Sequence, residues 1–101
     1  MKRVLVSERA RVDLFELVEH IAGDQPSAAH RLLDEALDAF KRLAEYPEIG
    51  RVRTSASFAG EVRWWVLPRF RMCIIVYRNE SEAVEVLRVL HAARDVDART
   101  D

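Results

Sequence analysis

Apolar residues fall first as a short run, Arg3–Val6, and then at intervals of three and four: Ala10, Leu14, Leu17, Val18 and Ile21. The run predicts a strand and the intervals a helix. Ser7 stands between them as a good N-cap, and Gly23 lies where a helix commonly stops. Asp24 can cap a second helix, with Pro26 tolerated in its first turn. The apolar stripe of that helix is Leu33, Ala36, Leu37, Phe40, Leu43 and Ala44. Tyr46-Pro47 ends it, because the residue before a proline is pushed out of helical geometry. The link between the helices is only a few residues, which predicts an antiparallel hairpin.

After Gly50 the helical period is lost. Residues 51–60 read as a loop or a ragged first strand. Residues 61–67 are rich in Val and Trp and are stopped by Pro68. Residues 71–77 are almost wholly apolar, as expected of a central strand buried on both faces. Asn79-Glu80-Ser81-Glu82 is a polar turn, residues 83–90 form a Val/Leu-rich strand, and residues 92–101 are a polar tail or a short frayed helix. The order predicts one α+β domain over residues 1–101. It has an N-terminal strand, a two-helix antiparallel hairpin and a three-stranded antiparallel meander, β-α-α-β-β-β.

Two helices can cover only one face of such a sheet, yet the strands are apolar on both. Val62, Trp64 and Val66 alternate with Arg63, Trp65 and Leu67; Met72, Ile74 and Val76 alternate with Cys73, Ile75 and Tyr77. A second apolar face that no element covers marks a partner interface. Adjacent strand residues point to opposite faces, so one of the two tryptophans belongs to each side.

Composition adds limits. With 50% hydrophobic and 33% charged residues over 101 positions, the chain is a globular domain with no sign of wholesale disorder. A single cysteine excludes an internal disulfide and Cys-rich zinc sites. The N-terminal apolar run is too short for a signal peptide, and no stretch approaches the ~20 apolar residues of a membrane span. A cytoplasmic protein without membrane partners is the expectation. The net charge of −1 conceals a basic middle. Arg51, Arg53, Arg63, Arg69, Arg71 and Arg78 face a single acid, Glu61, between residues 51 and 78. Arginine pairs in bidentate fashion with phosphate or carboxylate, so the segment suits nucleic acid or an acidic protein segment.

Candidate chemistry is sparse. There is no Gly-rich phosphate loop, and His20, His30 and His91 lack metal-ligand spacing. No cofactor or metal site is expected. Cys73, mid-strand among apolar residues, reads as an inert buried thiol. The one cluster with catalytic potential is Arg88, His91 and Arg94, where a histidine flanked by arginines could serve proton transfer on a phosphodiester.

The local text resembles a known family. Ala10-Arg11-Val12-Asp13-Leu14 and Leu17-Val18-Glu19-His20-Ile21-Ala22 resemble the first helix of the RelE/ParE superfamily of bacterial toxins from type II toxin–antitoxin systems. Ala28-Ala29 with Leu43-Ala44-Glu45-Tyr46-Pro47-Glu48-Ile49-Gly50-Arg51 is similar to its second helix and "L..P..GR" turn. Val62-Arg63-Trp64-Trp65-Val66, Ile74-Ile75-Val76-Tyr77-Arg78 and Val86-Leu87-Arg88-Val89-Leu90-His91-Ala92-Ala93-Arg94-Asp95 resemble its later strands. The resemblance implies one of two activities. The RelE-like branch cuts mRNA in the ribosomal A site, and the ParE-like branch poisons DNA gyrase. Aligned on Tyr77, the positions of the RelE-like catalytic groups become Trp65, Leu67, Ile74, Ala92 and Ala98. None of these supplies a proton-transfer group or positive charge, which favours the ParE-like branch with no catalytic residues. A nuclease would have to use His91 with Arg88 and Arg94. Either branch implies a cognate antitoxin that folds on the toxin across the open sheet face and along the helix hairpin. Arg63, Trp64, Trp65, Arg69, Arg71 and Arg88 are the candidate contacts for target or antitoxin.

Overall fold

The computed structural model describes residues 1–55 and 57–96. Its elements are β1 (Arg3–Val6), α1 (Glu8–Ala22), α2 (Pro26–Glu45), β2 (Arg51–Ser55), β3 (Phe58–Val66), β4 (Cys73–Asn79), β5 (Ala83–His91) and a short α3 (Ala92–Asp95). The strands form one sheet in the order β1-β5-β4-β3-β2. The β1–β5 pairing is parallel and the rest are antiparallel. The α+β class and the helix hairpin stand as the pattern predicts. The meander has a fourth strand, β2, where only a loop or ragged strand was expected, and β3 begins three residues before residue 61. No helix among the described residues is long and apolar enough to cross a membrane.

Ser7 caps α1 as expected: the Ala10 N–H donates to its Oγ at 3.0 Å. The same hydroxyl donates to the Leu87 carbonyl at 2.9 Å, which ties the start of α1 to β5. The expected cap at Asp24 is not used. The N-cap of α2 is Gln25, with no side-chain hydrogen bond, and Pro26 sits at the first helical position. Gly23 ends α1 in ordinary right-handed geometry (φ −60°), so no left-handed turn requires a glycine there.

Both helices pack on one sheet face. The main core joins Ala10, Leu14 and Leu17 of α1 and Leu32, Ala36, Phe40 and Leu43 of α2 to Ile75, Tyr77, Val84, Val86 and Val89 of the sheet. Leu32, rather than Leu33 or Leu37, is the fully buried leucine of that turn, and Leu37 is exposed. A second cluster, Val62, Trp64, Ile74, Val76 and Leu90, lies on the opposite face. Phe58, Val66, Leu87, Ala92 and Val96 pack around it. This face is apolar, as the alternation predicts. It is not bare, as two helices alone would leave it: Ala92 of α3 and Val96 just beyond it pack against its cluster, and Trp64 is buried to 7% exposure.

Candidate functional site

The face away from the α1–α2 hairpin, helix-free apart from the edge of α3, is the candidate site, and strand register builds it. Cross-strand partners share a face, and successive residues alternate. Arg51 pairs with Trp64, Trp64 with Val76, and Val76 with Arg88, so one row runs Arg51–Trp64–Val76–Arg88 across β2 to β5. Arg53 pairs with Val62 on the same face, and its guanidinium lies 4.5 Å above the centre of the Trp64 ring. Trp64 therefore belongs to the helix-free face. Trp65 belongs to the helix side, where it is half-buried against the main core.

The basic middle of the chain is thus divided by strand alternation. Arg51 and Arg53 are on the helix-free face, as is Arg78, which donates to the Ala59 carbonyl and lies 4.0 Å from Glu85. Arg63 is on the helix side. Its Nη1 donates to the carbonyls of Glu48 and Gly50 at 3.0 and 2.9 Å, pinning the turn after α2. Arg69 is exposed and lies 3.5 Å from Glu35. With Trp65, Leu67, Pro68, Asp38, Ala39 and Arg42 these two line a groove of about 550 Å³ between α2 and β3. Arg71 is exposed beyond that turn.

The possible catalytic trio is brought to one end of β5, and each member is engaged there. Arg88 Nε donates to Asp13 Oδ2 at 2.7 Å and Nη2 to Oδ1 at 3.2 Å. The hydrogen bond to Asp13 raises the Arg88 pKa, against the opposing effect of partial burial. Asp13 is the one buried charged residue among those described, and it also accepts the Val89 N–H at 3.0 Å. It thereby satisfies the edge of β5 that β1 is too short to cover. His91 is the N-cap of α3, with Nδ1 accepting the Arg94 N–H at 3.2 Å. Asp95 Oδ2 accepts the His91 N–H at 2.8 Å, and its Oδ1 accepts from Arg94 Nε at 3.0 Å. Burial works to raise the Asp95 carboxyl, but the bonds from Arg94 and from the His91 N–H outweigh it and hold it below its ordinary value. Trp65, Leu67, Ile74 and Ala92 stand as apolar groups at the positions singled out for a nuclease. Ala98 lies outside the described residues.

A third arrangement, unforeseen in the sequence, explains the Gly50 and Tyr77 positions together. The Tyr77 hydroxyl donates to the Pro47 carbonyl and accepts the Gly50 N–H, both at 2.8 Å. It latches the turn after α2 to β4, and burial raises its pKa, against the Gly50 hydrogen bond and the Arg63 charge.

Cys73 is fully buried, and burial pushes its thiol up to about 12. The group stays neutral in the fold while the unfolded chain ionises near pH 9. Its contribution to stability is present below that pH and is lost as pH rises toward 12. Native protein at pH 8 will resist iodoacetamide, and protein in strong denaturant will be alkylated within minutes. Rapid labelling of the native state would refute a buried thiol. No group of three or more His, Cys, Asp or Glu gathers for a metal ion among the described residues.

Against known proteins, residues 4–96 match the family model described as ParE toxin of type II toxin-antitoxin system, parDE. Two curated proteins of Caulobacter vibrioides (strain ATCC 19089 / CIP 103742 / CB 15) are similar over nearly their whole length. Toxin RelE2 is 35% identical over 94 residues, which is 93% of this chain and 99% of RelE2. Toxin RelE3 is 32% identical over 92 residues, 91% of this chain and 96% of RelE3. A solved structure of a chromosomal ParDE TA system from P. aeruginosa matches with a TM-score of 0.74. That match covers 90% of this chain and 96% of the other at 22% identity, a likeness of fold.

Proposed function

The chain belongs to the ParE toxin family of type II toxin–antitoxin systems, with a cognate antitoxin as its partner, and from that premise we propose that it acts without catalysis, by binding DNA gyrase, trapping the cleaved-DNA intermediate and blocking replication in the cytoplasm. One observation carries this reading. The three groups singled out for phosphodiester chemistry are each engaged within the fold: Arg88 by Asp13, His91 through Nδ1 as the cap of α3, and Arg94 by Asp95. Cleavage needs a free proton-transfer group and charge to stabilise the transition state. The apolar side chains of Trp65, Leu67, Ile74 and Ala92 provide neither. Restraint by the antitoxin then amounts to covering a surface rather than plugging a catalytic centre. In this reading the antitoxin's acidic, amphipathic segment lies over the helix-free face and reaches the helix hairpin. Folding of such a segment on its partner costs affinity per unit area but lets it wrap a wide surface.

The expected result is loss of gyrase supercoiling with accumulation of cleaved plasmid when purified toxin is added, and relief by the antitoxin. His91→Ala will retain that effect, since it removes a cap from a four-residue helix and no reacting group. The names of the two relatives, RelE2 and RelE3, favour a second reading, a ribosome-dependent endoribonuclease. Folded toxin that leaves gyrase untouched, cuts ribosome-bound mRNA and loses toxicity with His91→Ala would establish that alternative.

A further inference from the structure

The groove between α2 and β3 lies on the helix side of the sheet, away from Trp64 and from the Arg88–His91–Arg94 cluster. Its volume is about 550 Å³, within the range of small-molecule sites. One wall is the half-buried Trp65, which β3 points toward the helices. The facing wall is the side of α2 that carries Glu35, Asp38 and Arg42, at spacings of three and four residues. Arg69 closes the groove from the turn after β3. Its Nη1 lies 3.5 Å from Glu35 Oε1, so these two charges answer one another. Among the described residues, the side chains of Trp65, Asp38 and Arg42 have no hydrogen-bond or ion-pair partner. The groove therefore holds an aromatic face, a carboxylate and a guanidinium, each open to a ligand.

Those three groups set the chemistry of that ligand. Trp65 suits a flat ring that stacks on it. Asp38 accepts N–H donors from the edge of such a ring, and Arg42 takes an anion. A purine nucleotide brings all three. Guanine sets two donors side by side, its ring N–H and its amino group, which match the two oxygens of one carboxylate. Adenine has one amino group beside an acceptor nitrogen, which a carboxylate repels. Asp38 and Arg42 stand one helical turn apart, about 6 Å between Cβ atoms, and the long arginine spans the rest of the way to a phosphate. A polyphosphate or nucleic-acid backbone would run against Glu35 and Asp38, so a single nucleotide is favoured. We propose that the α2–β3 groove binds a guanine nucleotide, with its base on Trp65, the edge of the base on Asp38 and the phosphate on Arg42. This site depends neither on the toxin's target nor on where the antitoxin lies.

The test titrates the intact toxin with GMP, guanosine and AMP, reading tryptophan fluorescence and the heat of binding. The chain has two tryptophans, and Trp64 is buried on the opposite face, so a stacking ligand quenches Trp65. GMP will quench the emission, and Trp65→Phe will lose that response. AMP will bind about tenfold or more weakly than GMP. Asp38→Asn will bring the two within about threefold of each other, because an amide offers adenine a donor. Arg42→Gln will weaken GMP about tenfold and leave guanosine unchanged. Asp38 and Arg42 are exposed, so both variants will keep the fold. Absence of quenching and of heat at millimolar GMP would overturn the site. Equal affinity for AMP and GMP, or a preference for GMP that survives Asp38→Asn, would overturn the assignment of guanine. Quenching that persists in Trp65→Phe would place the nucleotide elsewhere and overturn the proposal.

Discussion

Asp13→Ala will lower the unfolding free energy by about 3 kcal/mol, read as a fall in the urea midpoint at unchanged slope. The Asp13 side chain is 6% exposed and serves three donors at once: two nitrogens of Arg88 and the backbone N–H of Val89. Arg9 approaches it at 3.4 Å from the preceding turn. Removing the carboxylate leaves the Val89 N–H buried and unpaired, and it strands Arg88, whose side chain is 27% exposed and only partly able to regain water. An unpaired buried donor costs about 1–3 kcal/mol, and a broken, largely buried ion pair adds to that. Against a typical stability of about 5–15 kcal/mol the loss is severe. Asp13→Asn will recover about half, because an amide oxygen still accepts the Val89 N–H. Asp13→Ala with Arg88→Ala will cost less than the sum of the single changes, since the second removes the stranded charge. A single-variant loss below about 1 kcal/mol would mean that the carboxylate is not the strap described.

Gly50→Ala will be nearly as damaging, for a steric reason. A Cβ at position 50 would lie 2.6 Å from Tyr77 Oη, 2.7 Å from Cε1 and 3.0 Å from Cζ. The ring cannot retreat, because Tyr77 is fully buried in the main core and its hydroxyl is held by Pro47 and Gly50. Overpacking plus a stretched hydrogen bond costs about 3 kcal/mol. The other glycines are controls. Gly60→Ala meets nothing within 4 Å but sits at φ +76°, so it bears only the left-handed backbone penalty of about 1 kcal/mol. Gly23→Ala finds ordinary contact distances and right-handed geometry, and will be close to neutral. A thermal melt that ranks Gly50→Ala last by a wide margin supports the latch; equal melts for the three variants would sink it.

The helices and the central strands could be read directly from apolar spacing, because burial there is one-sided for helices and two-sided for β4. The edge strand β2 could not. Arg51-Val52-Arg53-Thr54-Ser55 has one apolar residue, as an edge with water beside it allows. That omission hid Arg53, which becomes the cover of Trp64 only once β2 is paired with β3. The charge run from 51 to 78 looked like one patch because sequence is linear. Alternation sends Arg51 and Arg53 to one face and Arg63 to the other. Alternation also separated the tryptophans in advance, but which side each took depended on Trp64 pairing with Val76 and Trp65 with Ile75. Asp13 had a readable signal. It falls three residues after Ala10 and four before Leu17, on the buried side of α1, where a carboxylate demands a partner.

The parallel pairing of Arg3–Val6 with Ala83–Val86 has a temporal meaning. Ser7, Asp13 and Lys2 reinforce it with hydrogen bonds that span 75 to 80 positions. β1 therefore has no lasting place in the sheet until β5 is there to pair with it. Contacts this distant along the chain close late and slowly. A half-made chain lacks the strand that β1 pairs with, so its sheet is incomplete. β5, which pairs with both β1 and β4, is thus the strand whose arrival joins the two parts of the sheet.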